Sequence, residues 1–153
     1  MHTVSFHELP ALSGQTLRSS STKYIDQALV IRFTELSGDR QWIHCDPSLA
    51  VTKLPHGRTI IPGGLLLALL PHLLQQTFSV RQVDRSYTTA YRQIRFHETL
   101  PTGSTIGLIV HFRSARPGRS FTRVETACRI VEQESSTIIM SAEMTNVYYP
   151  AIL

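Results

Sequence analysis

PGGLLLALLPHLLQQ, residues 62–76, is apolar almost all the way round. A helix on the protein surface keeps one polar face, so this spacing predicts a buried helix, starting near Pro62 and interrupted or kinked at Pro71. A helix with no polar face needs a sheet wrapped around it. The second half of the chain supplies one. In TIGLIVHF (residues 105–112), Ile106, Leu108, Val110 and Phe112 alternate onto one face, and in TIIMSAEMTNVYY (137–149) Ile138, Met140, Ala142 and Met144 do the same. YTTAYRQIRF and SFTRVETACRIV lie between turn signals at PTG and RPG, so four long strands are expected. Helices first and antiparallel strands afterwards predict an α+β architecture with the long helix buried by the concave face of the sheet.

Upstream of the buried helix, the chain reads helical from Tyr24 onward. Ile25, Leu29, Ile31, Phe33 and Leu36 roughly follow helical spacing, Asp26 can cap the start and Gly38 can end it. Asp39 then sits just past a helix C-terminus. Asp46-Pro47 reads as an N-cap followed by a first-turn proline, opening a short helix to about Lys53 and leaving His44 in the loop between two helices. RSSSTK, with Ser19 to Thr22, reads as a polar turn rather than a linker.

The 153 residues, 42% hydrophobic and 17% charged, suit one compact domain spanning 1–153. The net charge of +4 comes from scattered Lys and Arg without a block of like charges, so charge alone favours an anionic small molecule no more than RNA. Cys45 and Cys128 lie far apart and outside any C-x-x-C pattern, which predicts neither a disulfide framework nor a zinc site and points to a reducing compartment. The N-terminus lacks a basic segment followed by an apolar one. The most apolar stretch, IIPGGLLLALLP, falls short of the ~20 residues that span a bilayer, so a soluble, intracellular protein is expected.

Two features carry chemistry. In GDRQWIHCDP (38–47), Asp39 and His44 flank Trp42-Ile43. A neighbouring carboxylate and imidazole can hold one water and serve together as general base and general acid. The plain alternative makes Asp39 a turn cap after Gly38 and His44 a satisfied structural histidine. Asp46 is assigned to helix capping. In TIIPGG (59–64), free N–H groups at a buried helix N-terminus can bind a carbonyl oxygen that becomes negative during reaction, and Gly63 and Gly64 permit close approach of a substrate. The plain alternative there is a first-turn proline with two glycines placed for packing.

TELSGDRQWIHCDPSLA, PHGRTIIPGGLLLALLP and YRQIRFHETLPTGS together resemble the MaoC-like (R)-specific enoyl-CoA hydratases and 3-hydroxyacyl dehydratases, particularly the subgroup similar to nodulation protein N. The resemblance covers nearly the whole chain, beginning weakly at ELPALSGQTL. It implies a cytoplasmic homodimer of hotdog-fold subunits in fatty acid metabolism. The implied reaction is reversible syn addition of water across a trans-2-enoyl thioester, giving an (R)-3-hydroxyacyl thioester. Asp39 and His44 match the family's catalytic pair, and Gly63 matches the residue whose amide binds the thioester carbonyl, with Gly64 beside it. Trp42-Ile43 then reads as an apolar spacer that anchors the loop. The thioester carrier is coenzyme A or acyl carrier protein; no metal, separate cofactor, nucleic acid or membrane is implied.

The chain departs from the family pattern twice. Pro62-Gly63 stands where His-Gly is usual, and Pro71 stands where some hydratases carry a serine on the central helix. Two other readings therefore stay open, a hotdog acyl-thioesterase and a non-catalytic acyl-thioester-binding subunit. Arg81, Arg85, Arg92, Arg95, Arg113, Arg116, Arg119 and Arg123 could gather near coenzyme A phosphates, since guanidinium suits bidentate phosphate contacts, although each taken singly reads as a solvated strand end or turn.

Overall fold

The computed structural model describes residues 2–151. In chain order it contains strand β1 (His2–Ser5), a 3₁₀ helix (Phe6–Leu12), strands β2 (Thr16–Arg18) and β3 (Lys23–Ile25), and helices α1 (Gln27–Ser37), α2 (Trp42–Cys45), α3 (Pro47–Lys53) and α4 (Gly63–Thr77). Five strands follow: β4 (Phe78–Arg81), β5 (Val83–Phe96), β6 (Ser104–Pro117), β7 (Thr122–Glu132) and β8 (Ile138–Pro150). The four long strands form an antiparallel sheet in the order β6-β7-β8-β5, with β2 and β3 end to end along the free edge of β6. A separate parallel pair joins β1 to β4.

The inward faces of the strands and the apolar sides of α4 make one core. Leu65, Leu66, Leu70, Leu73 and Leu74 of α4 pack with Ile106, Leu108, Val110 and Phe112 of β6 and with Met140, Ala142 and Met144 of β8. This is the hotdog arrangement, α+β, with the long helix held by the sheet. Burying such side chains is worth roughly 1.5–3 kcal/mol each; the burial is one-sided, since Gly64, Ala68, His72 and Gln75 of α4 are exposed.

Several expectations are corrected. Tyr24 and Ile25 are not helical; they form β3, pairing with Thr105 and Ser104, because a sheet edge on β6 offers backbone partners that an isolated helical turn lacks. The helix begins after Asp26, whose carboxylate accepts from Leu29 N at 2.7 Å, and ends at Gly38, whose φ of 77° is the left-handed conformation glycine adopts freely. Leu36 is 87% exposed, so the buried face of α1 is Val30 and Thr34. Helix α4 is continuous through Pro71. The ring removes only the bond to the Leu67 carbonyl, and the surrounding core holds the remaining turns. Ile138 is 38% exposed while Ile139 is buried, because the register shifts between Ile130 and Val131 and reverses the alternation ahead of Met140.

Candidate active site

Helix α1 delivers Asp39 and helix α2 delivers His44. Gly38 turns the chain sharply out of α1, and Asp39 Oδ1 then accepts from the side-chain amide of Gln41 at 3.1 Å. His44 is not in a loop: Trp42–Cys45 forms a single helical turn, closed by Asp46 N donating to the Trp42 carbonyl. That turn points His44 inward, where its side chain is 8% exposed against 40% for Asp39. His44 Nε2 and Asp39 Oδ2 stand 3.9 Å apart.

The imidazole is fixed from behind. Nδ1 lies 2.7 Å from the Ile60 carbonyl oxygen, so Nδ1 carries the proton and donates. In the neutral ring Nε2 is therefore an acceptor facing a carboxylate, itself only an acceptor. At 3.9 Å the two are too far apart for a direct hydrogen bond, but one water can donate a hydrogen to each. Ile60 is held in turn by its amide, which donates to the Ile43 carbonyl at 2.8 Å.

A second support reaches His44 through its own carbonyl, which accepts from Gln27 Nε2 at 2.8 Å. Gln27 Oε1 accepts from the Thr59 hydroxyl, which also meets the Thr102 hydroxyl at 2.8 Å; both threonines are buried. This ties the first turn of α1, the one-turn helix and the segment leading into α4. The importance of Ile60, Gln27, Thr59 and Thr102 was not readable from spacing, since their partners lie 16 to 43 residues away.

Helix α4 begins three residues after Ile60. Pro62 precedes its first turn, and the Leu65 and Leu66 amides both turn back to the Pro62 carbonyl. Among the described residues, no acceptor meets the amides of Gly63 or Gly64. The glycines have a packing reason as well. A Cβ on Gly63 would lie 2.8 Å from Phe96 Cε1, and one on Gly64 would lie 3.2 Å from Phe33 Cζ. Phe96, at the end of β5, thus covers one side of the helix start.

The other predicted participants are placed as follows. Asp46 caps α3 by accepting from Leu49 N at 2.9 Å. Trp42 does not anchor the loop by burial; it is exposed, with Lys53 Nζ 5.8 Å from its ring centre, and Ile43 acts through its carbonyl. Of the eight arginines, Arg85 bonds Asp84 and Tyr87 and lies over the Tyr149 ring, while Arg113 pairs with Glu143 at 2.5 Å. Arg95 and Arg113 do come together, joined by Arg129, on the sheet face that carries the exposed positions of β7. Cys45 and Cys128 are both free thiols. Among the described residues, no group of three His, Cys, Asp or Glu is placed to hold a metal ion, and no helix is long and apolar enough to cross a membrane.

Comparison with known proteins gives consistent matches. The family model described as "MaoC like domain" matches residues 8–134. The chain is 36% identical over 102 residues to 3-hydroxyacyl-thioester dehydratase Z of Mycobacterium tuberculosis, covering 67% of each protein. It is 32% identical over 114 residues to nodulation protein N of Rhizobium meliloti, covering 69% of this chain and 66% of that protein. Among solved structures, the unliganded R-hydratase PhaJ1 from Pseudomonas aeruginosa superposes with a TM-score of 0.73 at 20% identity, over 92% of this chain and 83% of the other. The (R)-hydratase from A. caviae gives 0.69 at 24% identity, over 88% and 94%. Likeness at that identity speaks for the fold alone.

Proposed function

The chain belongs to the MaoC-like domain family, and from that premise we propose that it is a hydro-lyase interconverting a trans-2-enoyl thioester and an (R)-3-hydroxyacyl thioester. The observation that carries the proposal is the pairing of Asp39 Oδ2 with His44 Nε2 at 3.9 Å, with His44 tied to Ile60 just ahead of the α4 N-terminus. In the hydration direction, one member of the pair takes a proton from water as the water oxygen bonds to C3. The C2–C3 π electrons move into the thioester as an enolate, and the pair then passes that same proton on to C2, so that the water supplies both the hydroxyl on C3 and the hydrogen on C2. Both groups lie on one side of the substrate, so the addition is syn.

The enolate oxygen needs a donor that is already in place. The free amides at the start of α4 supply it together with the positive end of the helix dipole. Gly63 is assigned as the thioester carbonyl donor, with Gly64 giving room beside it. Removing one such donor costs about 10²–10³ in turnover in comparable sites. Pro62 leaves that amide intact, since proline lacks only its own N–H.

We also propose a homodimer of single-domain subunits, acting on an acyl-CoA rather than an acyl carrier protein, in the cytoplasm and within fatty acid metabolism. β5 supports the dimer. It is a 14-residue strand bonded on one side to β8 only, and it exposes Tyr87, Ile94 and Phe96. A long free edge of unpaired backbone groups invites a second strand. The test of function is hydration of crotonyl-CoA, followed by loss of enoyl absorbance and by chiral analysis of the product. Thiol release without a 3-hydroxyacyl product would identify a thioesterase instead.

A further inference from the structure

The inner face of the sheet is apolar and packs on α4, whereas the outer face is strongly basic. Strand register sets that outer face out in rows. Arg18 of β2, Ile109 of β6, Arg129 of β7, Ser141 of β8 and Arg95 of β5 lie side by side across five strands, and the next row is Thr16, His111, Ala127, Glu143 and Arg92. Arg113, at the bulge of β6, leans onto Glu143. Two rows further along, Arg116 stands directly opposite Arg123. Seven of the chain's fifteen Lys and Arg are thus in these rows. The carboxylates among them are Glu143 and Glu125, which accepts from the Ser114 hydroxyl.

Like charges directly opposite one another destabilise a sheet, and among the described residues Arg18, Arg92, Arg95, Arg116, Arg123 and Arg129 pair with no carboxylate. An anion lying across the face relieves that repulsion. The face is also grooved. Ala127 is the short side chain at its centre, and the surface dips there into two adjoining concavities of about 350 Å³ each, which share Arg113, Ala127 and Arg129. One continues over Ile109 and His111, the other over Ser141 to Arg95. Together they form a channel across four strand spacings, about 19 Å. The channel lies on the opposite side of the sheet from α4, so its arginines do not serve the proposed thioester site. A second strand at the β5 edge uses backbone groups in the plane of the sheet and leaves this face open.

We infer that this channel binds single-stranded nucleic acid, with phosphates on the arginines and bases on the floor made by Ile109, Ala127 and His111. The inference stands apart from the hydratase reading. His111 is exposed, and its Nδ1 meets the Thr16 hydroxyl at 2.9 Å, which holds the ring in place for a base to stack on. A duplex keeps its bases stacked inside and has none to offer that ring. An acidic protein surface would meet the arginine tips and leave the apolar floor unfilled. An extended single strand supplies charge and flat rings together, and about four nucleotides suffice for a site on one sheet face.

The test follows the fluorescence anisotropy of a fluorescein-labelled oligouridylate of about twelve nucleotides on titration with the full chain. With about four phosphates neutralised, affinity should fall roughly fifty-fold between about 50 and about 200 mM salt, a slope of about −0.7 per contact. Arg129→Gln should weaken binding and flatten that slope by about one contact. His111→Ala should weaken binding by about tenfold and leave the slope unchanged, because stacking releases no counterion. Hydration of crotonyl-CoA by either variant should match the wild type. Anisotropy needs no turnover, so a wild type that binds the probe but hydrates nothing would count against the hydratase reading and not against the channel. Poly-glutamate that competes as well as unlabelled oligouridylate, with His111→Ala without effect, would assign the face to an acidic protein and overturn the inference. Equal affinity for a duplex of the same length, or no binding of the probe at about 50 mM salt, would overturn it too. Should either variant not fold, Arg18→Gln and Arg95→Gln, at the two ends of the first row, read the same slope.

Discussion

His44 Nδ1 lies 2.7 Å from the carbonyl oxygen of Ile60, three residues ahead of Gly63. One contact thereby sets both the tautomer of the imidazole and its position relative to the start of α4. Nε2 is left to face Asp39, and the groups proposed to move protons are tied to those proposed to hold the enolate. The consequences can be checked at each link.

If Asp39 and His44 act through a shared water, Asp39→Asn and His44→Ala should each lower hydration of a short enoyl-CoA by roughly 100-fold or more. The double variant should be scarcely worse than either single one, because groups acting as a unit are non-additive. Asp46→Asn, which keeps the cap on Leu49 N, is the control and should cost little. Steady-state kinetics on folded variants decide. Near-normal turnover by Asp39→Asn would remove the dyad.

Gln27→Leu should lower kcat with little change in KM. The substitution takes away the bond to the His44 carbonyl and leaves the buried Thr59 hydroxyl with Thr102 alone, and a catalytic group displaced by a fraction of an ångström loses about tenfold or more. A larger effect on KM than on kcat would mean that Gln27 serves the substrate rather than His44.

Gly63→Val should suppress turnover, since its side chain would collide with the Phe96 ring. Phe96 is half-exposed and can be trimmed. Phe96→Ala in the same chain should then restore part of the activity if the Gly63 amide remains a usable donor. Full activity in folded Gly63→Val would take this glycine out of the site.

The free edge of β5 predicts a dimer at micromolar concentration by sedimentation velocity. A proline at Thr89, in the middle of this strand, should shift the population toward monomer. A wild-type chain that sediments as a monomer would leave the edge without a partner.

Cys128 offers a test of the core by pH. Burial pushes its thiol up to about 11, opposed by a hydrogen bond with Thr126. An unfolded thiol ionises near ~8.5, so the unfolded state sheds its proton first. Stability from this group is complete below that value and falls as pH rises toward 11. Alkylation at neutral pH should accordingly modify Cys45 alone in the native protein and both thiols in denaturant, as counted by mass spectrometry.

The sequence by itself determined the layers of the fold. The leucine-rich run at 62–76 needs a sheet against which to bury its leucines, and strict alternation in β6 leaves one choice of inward face, so both were legible from local pattern. Asp26 and Asp46 were legible as caps because a cap is satisfied within three residues. What only the tertiary structure decided is the set of relationships that cross the chain. Tyr24 and Ile25 became a strand because β6 offered an edge, Ile138 turned outward because of a register shift, and α4 ran on through Pro71 because its neighbours held it. The same holds for the site. The residue types at Asp39, His44 and Gly63 could be read in order along the chain, but the ring of His44 is oriented by Ile60 and Gln27, and Gly63 is confined by Phe96. The row of Arg18, Arg129 and Arg95 likewise exists only once β2, β6, β7, β8 and β5 lie in register. Periodicity reports which face of an element is buried, whereas hydrogen-bond partners distant in sequence are chosen by packing.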